Sequence, residues 1–326
     1  MDKEHLPSIF TTMRVVPSNV ALTRSPPLLD LPLPDRLLAR YKSLKQEASS
    51  QNSIQDEIYS SAEWQTLLAR IPLLERHLER LVRSAKALSE IHPGVWDHLE
   101  RISKHGSSWI SPDTLSKRWI LANLLKLAPQ DEEGKTYRLR MELSPTHALP
   151  QITFTQIDST NKSGLKVRLD SCATTTESAG VDEPLSSFVY LHKSSTRAHY
   201  TDAQARVGAT MGAPKRTDKD SGGNSARQDC FDVLMWTEDS ESGARLLTES
   251  GIANIIVEDT ETGTWMTPSL SQAGPLAGLM REELLQAGAL EERDILVDSL
   301  IGGDSAKIKL YLCNALRGVF PVELEP

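Results

Sequence analysis

Leu247-Thr248-Glu249-Ser250-Gly251-Ile252-Ala253-Asn254-Ile255-Ile256 places one acid and a glycine directly before a β-branched, aliphatic run. Such a run, opened by turn residues, reads as a strand near Ile252–Val257. Toward the C-terminus the same reading gives a strand near Thr264–Met266 and a helix from about Leu279 to Ala289. Strands near Lys307–Cys313 and Val319–Leu324 follow. Toward the N-terminus it gives a strand near Asp232–Trp236, a helix from Tyr200 to Met211 and a strand at Phe188–Leu191. Leu165–Leu169, Ile152–Ile157 and Thr136–Leu143 also read as strands. Meandering strands with a few helices, without regular βαβ alternation, predict an α+β or mixed α/β fold and disfavour a doubly wound one.

Before Thr136 the signals are sparser. Ser8–Val16 reads as a strand between two prolines. From Pro72 an apolar stripe of Leu73, Leu74, His77, Leu81, Ala85 and Leu88 recurs at helical spacing. A second helix is expected over Val95–Ser103. A third is expected from Ser111-Pro112-Asp113, with Leu115, Trp119, Leu121, Leu124 and Leu125 on its apolar face. The polar stretches Ser18–Ser60 and Gly212–Gln228 read as inserts, and Ser171–Ser187 as a linker or excursion. The expected division is a smaller N-terminal α/β domain, 1–155, and a larger C-terminal domain, 156–326.

The 326 residues suffice for two domains, and 36 Lys and Arg against 44 Asp and Glu leave a net charge of −8. A general basic face for nucleic acid or an acidic membrane is therefore not expected. The apolar stretch Trp119–Leu125 is too short to span a bilayer, and the start MDKEHLPSIFTTMR lacks the pattern of a signal peptide. The three cysteines, Cys172, Cys230 and Cys313, are isolated, so neither a disulfide framework nor a metal site is expected. A reducing, cytoplasmic setting is the default. There is no G-x-G-x-x-G, phosphate loop, G-x-S-x-G or H-E-x-x-H.

Four segments can carry chemistry, each with a plainer alternative. Lys193, in Leu191–Arg197, is either a solvated strand-end lysine or an amine held at a turn, where desolvation lowers its pKa for Schiff-base formation. Glu249 is either a capping carboxylate or a buried acid facing a protonated ring nitrogen, which makes such a ring an electron sink. Gly274–Glu283 is either a simple loop before a helix or a helix start whose free N–H groups suit a phosphate. Arg80, in His77–Ala85, is either part of a charged face or an inward, bidentate partner for a dianion. His98 and His105 have no ligand partners at suitable spacing, and the six tryptophans read as packing groups.

Taken in order, these segments resemble the class IV aminotransferase family, which has the type IV fold of pyridoxal-phosphate enzymes. The matching anchors are H-x-x-R-L-x-x-S-A at His77–Ala85, H-K-x-x-x-R at His192–Arg197 and T-E-x-x-x-x-N at Thr248–Asn254. T-P-x-L at Thr267–Leu270 and G-[IL]-[TM]-R at Gly278–Arg281 also match. Within the family, Phe10–Val15, Leu270–Gly274 and Cys313–Leu316 with Pro321-Val322 look like aminodeoxychorismate lyase. The likeness covers about Phe188–Val322 and is patchy before it. The strands that usually precede the F-T-T segment are missing, and Leu316-Arg317-Gly318 resembles the aminotransferase branch equally.

The resemblance implies a homodimer and pyridoxal 5'-phosphate bound through Lys193, which also transfers protons. It implies Glu249 at the pyridine nitrogen and Arg80 at the phosphate. Leu279 and Met280, with the turn of Asn314 and Ala315, would complete the phosphate cradle. Phe10, Thr12 and Arg14, alternating along one strand, would border the substrate. Arg138 and Arg140 are candidates for binding substrate carboxylates. The implied reaction converts 4-amino-4-deoxychorismate to 4-aminobenzoate and pyruvate, a step of folate biosynthesis. The alternatives are a class IV aminotransferase acting on branched-chain or D-amino acids or amines, and a non-catalytic scaffold relative.

Overall fold

In a computed structural model, the described residues are 6–16, 33–48, 62–96, 110–111, 114–115, 123–124, 135–147, 150–157, 164–175, 181, 184–210, 230–270, 275–302 and 307–325. The chain divides into two compact units. The first holds Met1–Thr160, Val181–Thr196 and Ala315–Gly318; the second holds Asn161–Gly180, Arg197–Asn314 and Val319–Pro326.

The first unit is built on a three-stranded antiparallel sheet of β1 (Ile9–Val15), β4 (Thr136–Leu143) and β5 (Gln151–Ile157), in the order β1-β4-β5. Directly paired residues share a face, so the register sorts side chains. Ile9, Thr11, Met13 and Val15 pair with Leu143, Met141, Leu139 and Tyr137 on one face. Phe10, Thr12 and Arg14 pair with Glu142, Arg140 and Arg138 on the other. Helices α1 (Asp35–Ala48), α2 (Ala62–Arg70), α3 (Leu74–Ile91) and α4 (Leu185–Leu191) belong to this unit. Helix α3 packs on β1. It buries Leu74, His77, Leu78, Arg80, Leu81, Ser84, Ala85 and Leu88, the expected stripe widened by Leu78, Arg80 and Ser84. Each fully buried leucine contributes about 1.5–3 kcal/mol.

The second unit is a closed barrel. Its sheet runs β11-β10-β9-β12-β13-β6-β7-β8, and β8 pairs again with β9. The strands are β6 (Leu165–Leu169), β7 (Cys230–Glu238), β8 (Arg245–Ser250), β9 (Asn254–Asp259), β10 (Trp265–Pro268), β11 (Glu291–Arg293), β12 (Ile308–Asn314) and β13 (Gly318–Glu325). The closing pair is Glu249 with Asn254. Closure of β8 on β9 rings six strands and leaves β10 and β11 as an extension with β11 at its edge, and side chains fill a barrel this narrow. Val167, Phe231, Leu234, Leu247, Ile255, Leu312 and Phe320 are among its buried core. Helix α5 (Ala198–Val207) covers β7 through Tyr200, Ala203 and Val207 against Cys230, Val233 and Met235. Helices α6 (Leu279–Gln286) and α7 (Val297–Ile301) complete the unit. No helix among the described residues is long and apolar enough to cross a membrane.

The structure corrects several expectations. Phe188–Leu191 is the end of helix α4, not a strand. Leu185, Phe188 and Val189 stand at helical spacing and are buried, while Leu191 is exposed. The third helix does not start at Ser111: Ile110–Ser111 (β2) pairs antiparallel with Thr114–Leu115 (β3). Ser-Pro-Asp suits a turn as well as a helix start, because proline pre-sets φ for either. The Ser18–Ser60 stretch contains helix α1, and α2 follows it; neither was expected. Glu249 lies inside strand β8, not in a turn. Val95 lies in a turn, and the rest of the helix expected over Val95–Ser103 lies largely outside the described residues, as does the Gly212–Gln228 stretch.

Candidate active site

Strand β1 and helix α3 meet through a buried polar cluster. Arg80 Nη2 donates to Thr11 Oγ1. Thr11 Oγ1 lies 2.6 Å from His77 Nδ1. A hydroxyl that already accepts from a guanidinium donates its own proton, so His77 Nδ1 accepts and the ring proton sits on Nε2. Burial, then the Arg80 and Lys193 cations, holds His77 well below its ordinary pKa and keeps it neutral. One turn along α3, Ser84 Oγ lies 3.0 Å from His192 Nδ1. His192 also stacks on Phe188, four residues earlier, with ring centroids 4.6 Å apart. Burial foremost, and Arg83 second, push its pKa down to about 4. The H-x-x-R-L-x-x-S-A helix therefore grips both the F-T-T strand and the residue preceding Lys193.

Lys193 itself lies along the free side of β1. Phe10 N donates to Lys193 O at 3.0 Å, and Ser195 N to Ser8 O at 2.8 Å. Ile9 and Ser194 form the bridging pair, so Lys193 falls on the Phe10 face. Its Nζ is 5.4 Å from the Phe10 ring centroid. The Arg140 guanidinium lies 3.6 Å from the same ring and binds Glu142 Oε2 through Nε and Nη2 at 2.9 and 2.8 Å. Arg14 Nη1 donates to Leu316 O at 3.3 Å. One sheet face thus carries Lys193, Arg14, Arg138 and Arg140 around Phe10 and Thr12. Thr11 and Arg80 occupy the opposite, helix-covered face.

In the second unit Glu249 is buried, and Tyr200 donates to its Oε1 at 2.7 Å. The turn after it is held tightly. Ser250 N donates to Ala253 O at 2.8 Å, and Arg197 Nη2 to Gly251 O at 2.6 Å. Asp232, fully buried on β7, accepts from Ile252 N at 3.2 Å and from Gln204 Nε2 at 3.1 Å. Desolvation raises the Asp232 pKa, against which its hydrogen bonds act. A Cβ on residue 251 would stand 2.4 Å from Gln204 Nε2 and 2.6 Å from Asp232 Oδ1, so only glycine fits.

The same turn reaches the other expected phosphate groups. Asn314 Nδ2 donates to Ile252 O at 3.3 Å. Asn254 Nδ2 donates to Leu276 O at 2.7 Å, and a Cβ on Gly278 would lie 1.9 Å from Asn254 Oδ1. Gly278 caps α6 without a side-chain hydrogen bond, so the N–H groups at Leu279 and Met280 have no side-chain cap. Arg281 points the other way. It donates to Thr267 Oγ1 at 3.3 Å and to Pro268 O at 2.7 Å, and pairs with Glu292. The T-P-x-L and G-[IL]-[TM]-R motifs are thus two halves of one clamp. Burial pushes the neighbouring Cys313 thiol up to about 12, which leaves it inert.

The expected site residues divide by unit: Phe10, Thr12, Arg14, Arg80, Lys193 and Ala315 in the first, Glu249, Leu279, Met280 and Asn314 in the second. Tyr200, Gln204 and Asp232 escaped the sequence reading, and Thr11 and Arg197 stood in its motifs without an assigned role. The available signal was the spacing of Arg197, Tyr200 and Gln204, which puts all three on one helix face.

Residues 222–324 match the family model described as amino-transferase class IV. A proposed amino-acid aminotransferase from Mesorhizobium loti superposes with a TM-score of 0.54 at 19% identity, covering 98% of this chain and 100% of that one. The chain has the class IV aminotransferase fold. A fold IV transaminase from Curtobacterium pusillum shares it, with a TM-score of 0.52 at 16% identity over 97% of this chain and 78% of that one. So does a branched-chain amino acid aminotransferase from Thermobaculum terrenum (a mutant form), with a TM-score of 0.50 at 12% identity over 98% and 76%. No curated protein sequence matches the chain. The resemblance read from the motifs therefore holds for the fold, and for the family model over residues 222–324; class IV enzymes use pyridoxal phosphate.

Proposed function

We propose that this chain is a pyridoxal-phosphate enzyme that converts 4-amino-4-deoxychorismate to 4-aminobenzoate and pyruvate. The observation that supports it best is the interlocking of three motifs: Thr11 with His77 and Arg80, and Ser84 with His192 beside Lys193. The residues present suit the cofactor. Arg80 is a buried guanidinium, Glu249 a buried carboxylate, and α6 begins on a glycine without a side-chain cap. Bound pyridoxal phosphate supplies an electron sink for negative charge developing on a substrate carbon.

The chain's residues do the rest. Lys193 would hold the cofactor through its Nζ amine, and that amine would carry protons. Glu249 holds the ring nitrogen protonated. Arg80 and the N–H groups at Leu279 and Met280 bind the phosphate. The substrate has two carboxylates, and the face carrying Arg14 and Arg138 suits them by charge.

Purified protein incubated with aminodeoxychorismate should release fluorescent 4-aminobenzoate and an equal amount of pyruvate without any keto-acid acceptor. The visible absorbance of the cofactor–lysine adduct should vanish in Lys193→Ala. The aminotransferases that share the fold favour a second reading, an amino-acid aminotransferase. Conversion of the bound cofactor to its amine form by amino donors, with no 4-aminobenzoate formed, would establish that reading. Absence of a visible band after soaking with pyridoxal phosphate would reject both and leave the non-catalytic scaffold.

A further inference from the structure

The barrel closes at Glu249, and one face of α5 is built around that closure. Arg197, Tyr200 and Gln204 stand at positions i, i+3 and i+7, so they line one stripe of the helix. Each meets the segment 249–252. Tyr200 donates to Glu249 Oε1 at 2.7 Å, and Arg197 donates to Gly251 O at 2.6 Å. Gln204 reaches Asp232, which in turn accepts from Ile252 N. The Arg197 guanidinium also covers the Tyr200 ring, 4.3 Å from its centroid. A cation over the ring favours electron density moving from the phenol oxygen toward the ring, which makes the hydroxyl a better donor.

We propose that Tyr200 is a positioning residue for Glu249, fixing its carboxylate and keeping it ionised where it meets the cofactor ring. This rests on the reading in which Glu249 pairs with the ring nitrogen. The chemistry is direct. A hydroxyl donating to an ionised carboxylate stabilises the charged form over the neutral one. With the carboxylate less basic but still negative, the shared proton stays on the ring nitrogen and the ring remains a strong electron sink. Without that donor the proton shifts toward Glu249. Charged groups that reach this segment include Arg197, at the N-cap of α5, and Asp232 on β7. His199, also on α5, is held near a pKa of about 4 by burial and by Arg197, so it adds no charge at neutral pH.

The test uses wild type, Tyr200→Phe and Glu249→Gln. Phenylalanine keeps the ring beneath Arg197 and removes only the hydroxyl. In cofactor-free protein, the Glu249 carboxyl resonance is identified by carbon-13 labelling and by its loss in Glu249→Gln. Its titration midpoint should rise by about one pH unit in Tyr200→Phe. 3-Fluorotyrosine at position 200, a stronger donor of the same shape, should move it the opposite way. In protein loaded with pyridoxal phosphate labelled at the ring nitrogen, Glu249→Gln should shift the nitrogen-15 resonance toward the unprotonated position. Tyr200→Phe should fall between that variant and wild type. If Glu249→Gln leaves the nitrogen resonance unmoved, the pairing of Glu249 with the ring is wrong and this proposal falls with it. If Glu249→Gln shifts the resonance while Tyr200→Phe matches wild type in both measurements, only the role of Tyr200 is overturned.

Discussion

At the scale of single residues, the first unit depends on one hydroxyl. Thr11 accepts from Arg80 and donates to His77, both buried. Thr11→Val keeps the shape and withdraws both interactions. Leaving such groups unsatisfied costs about 1–3 kcal/mol, and charged groups cost more. Chemical denaturation should show a loss of at least that size, whereas Thr12→Val should leave this cluster intact. The histidines give a pH signature. His77, His192 and His199 all have folded pKa values below the ordinary 6.5, the last two at about 4. The unfolded chain therefore takes up protons that the folded chain refuses. The stability these histidines contribute is full above pH 6.5 and is lost as pH falls toward 4. The thermal midpoint should drop through that window, and His192→Gln should flatten the drop. Asp232, with its raised pKa, works in the opposite direction, so the slope is best read as a difference between the variant and wild type.

At the scale of elements, two glycines mark where backbone and side chains come too close for a Cβ. Gly251→Ala would press on Gln204 and Asp232, and Gly278→Ala on Asn254. Overpacking of this kind costs about 1–3 kcal/mol. Trimming Gln204 to alanine should recover part of the Gly251→Ala loss, because the long side chain is one of the two obstacles. A double-mutant cycle in denaturant would show the coupling. These contacts explain what was legible in the sequence. Apart from β8 and the short β11, the strands of the second unit read correctly because aliphatic runs and turn residues bracket them, and α3 read correctly because its stripe is long and regular. Helix α4 was mistaken because Phe-Val-Tyr-Leu has strand-like composition, and the i, i+3, i+4 burial of Leu185, Phe188 and Val189 spans only seven residues. Lys193, Arg80 and Glu249 could be singled out by motif. Thr11, Tyr200 and Asp232 could not, because their importance lies in contacts 66, 49 and 20 positions away in the chain.

At the scale of the whole molecule, the chain carries a net charge of −8, yet one sheet face gathers Lys193, Arg14, Arg138 and Arg140 with only Glu142 opposing them. A local cationic face on an acidic protein selects small anions over polyanions, since larger partners also meet the surrounding negative field. Arg138→Ala should therefore raise KM for a dianionic substrate and reduce its dependence on salt, with kcat much less affected. Cofactor binding should also register in the stability of the entire chain. A ligand held only by the folded state stabilises it by about 2.7 kcal/mol at a concentration one hundred times Kd. Spread over the unfolding entropy of 326 residues, that raises the thermal midpoint by about 4 °C. The gain should grow with pyridoxal phosphate concentration and shrink in Arg80→Ala and in Lys193→Ala, which remove the groups proposed here to hold the phosphate and the aldehyde. Because these two residues lie in one unit and Glu249 in the other, the expected result is a smaller gain in all three single variants, Glu249→Gln included. A gain that Glu249→Gln leaves untouched, while Lys193→Ala abolishes it, would assign cofactor binding to the first unit's residues alone.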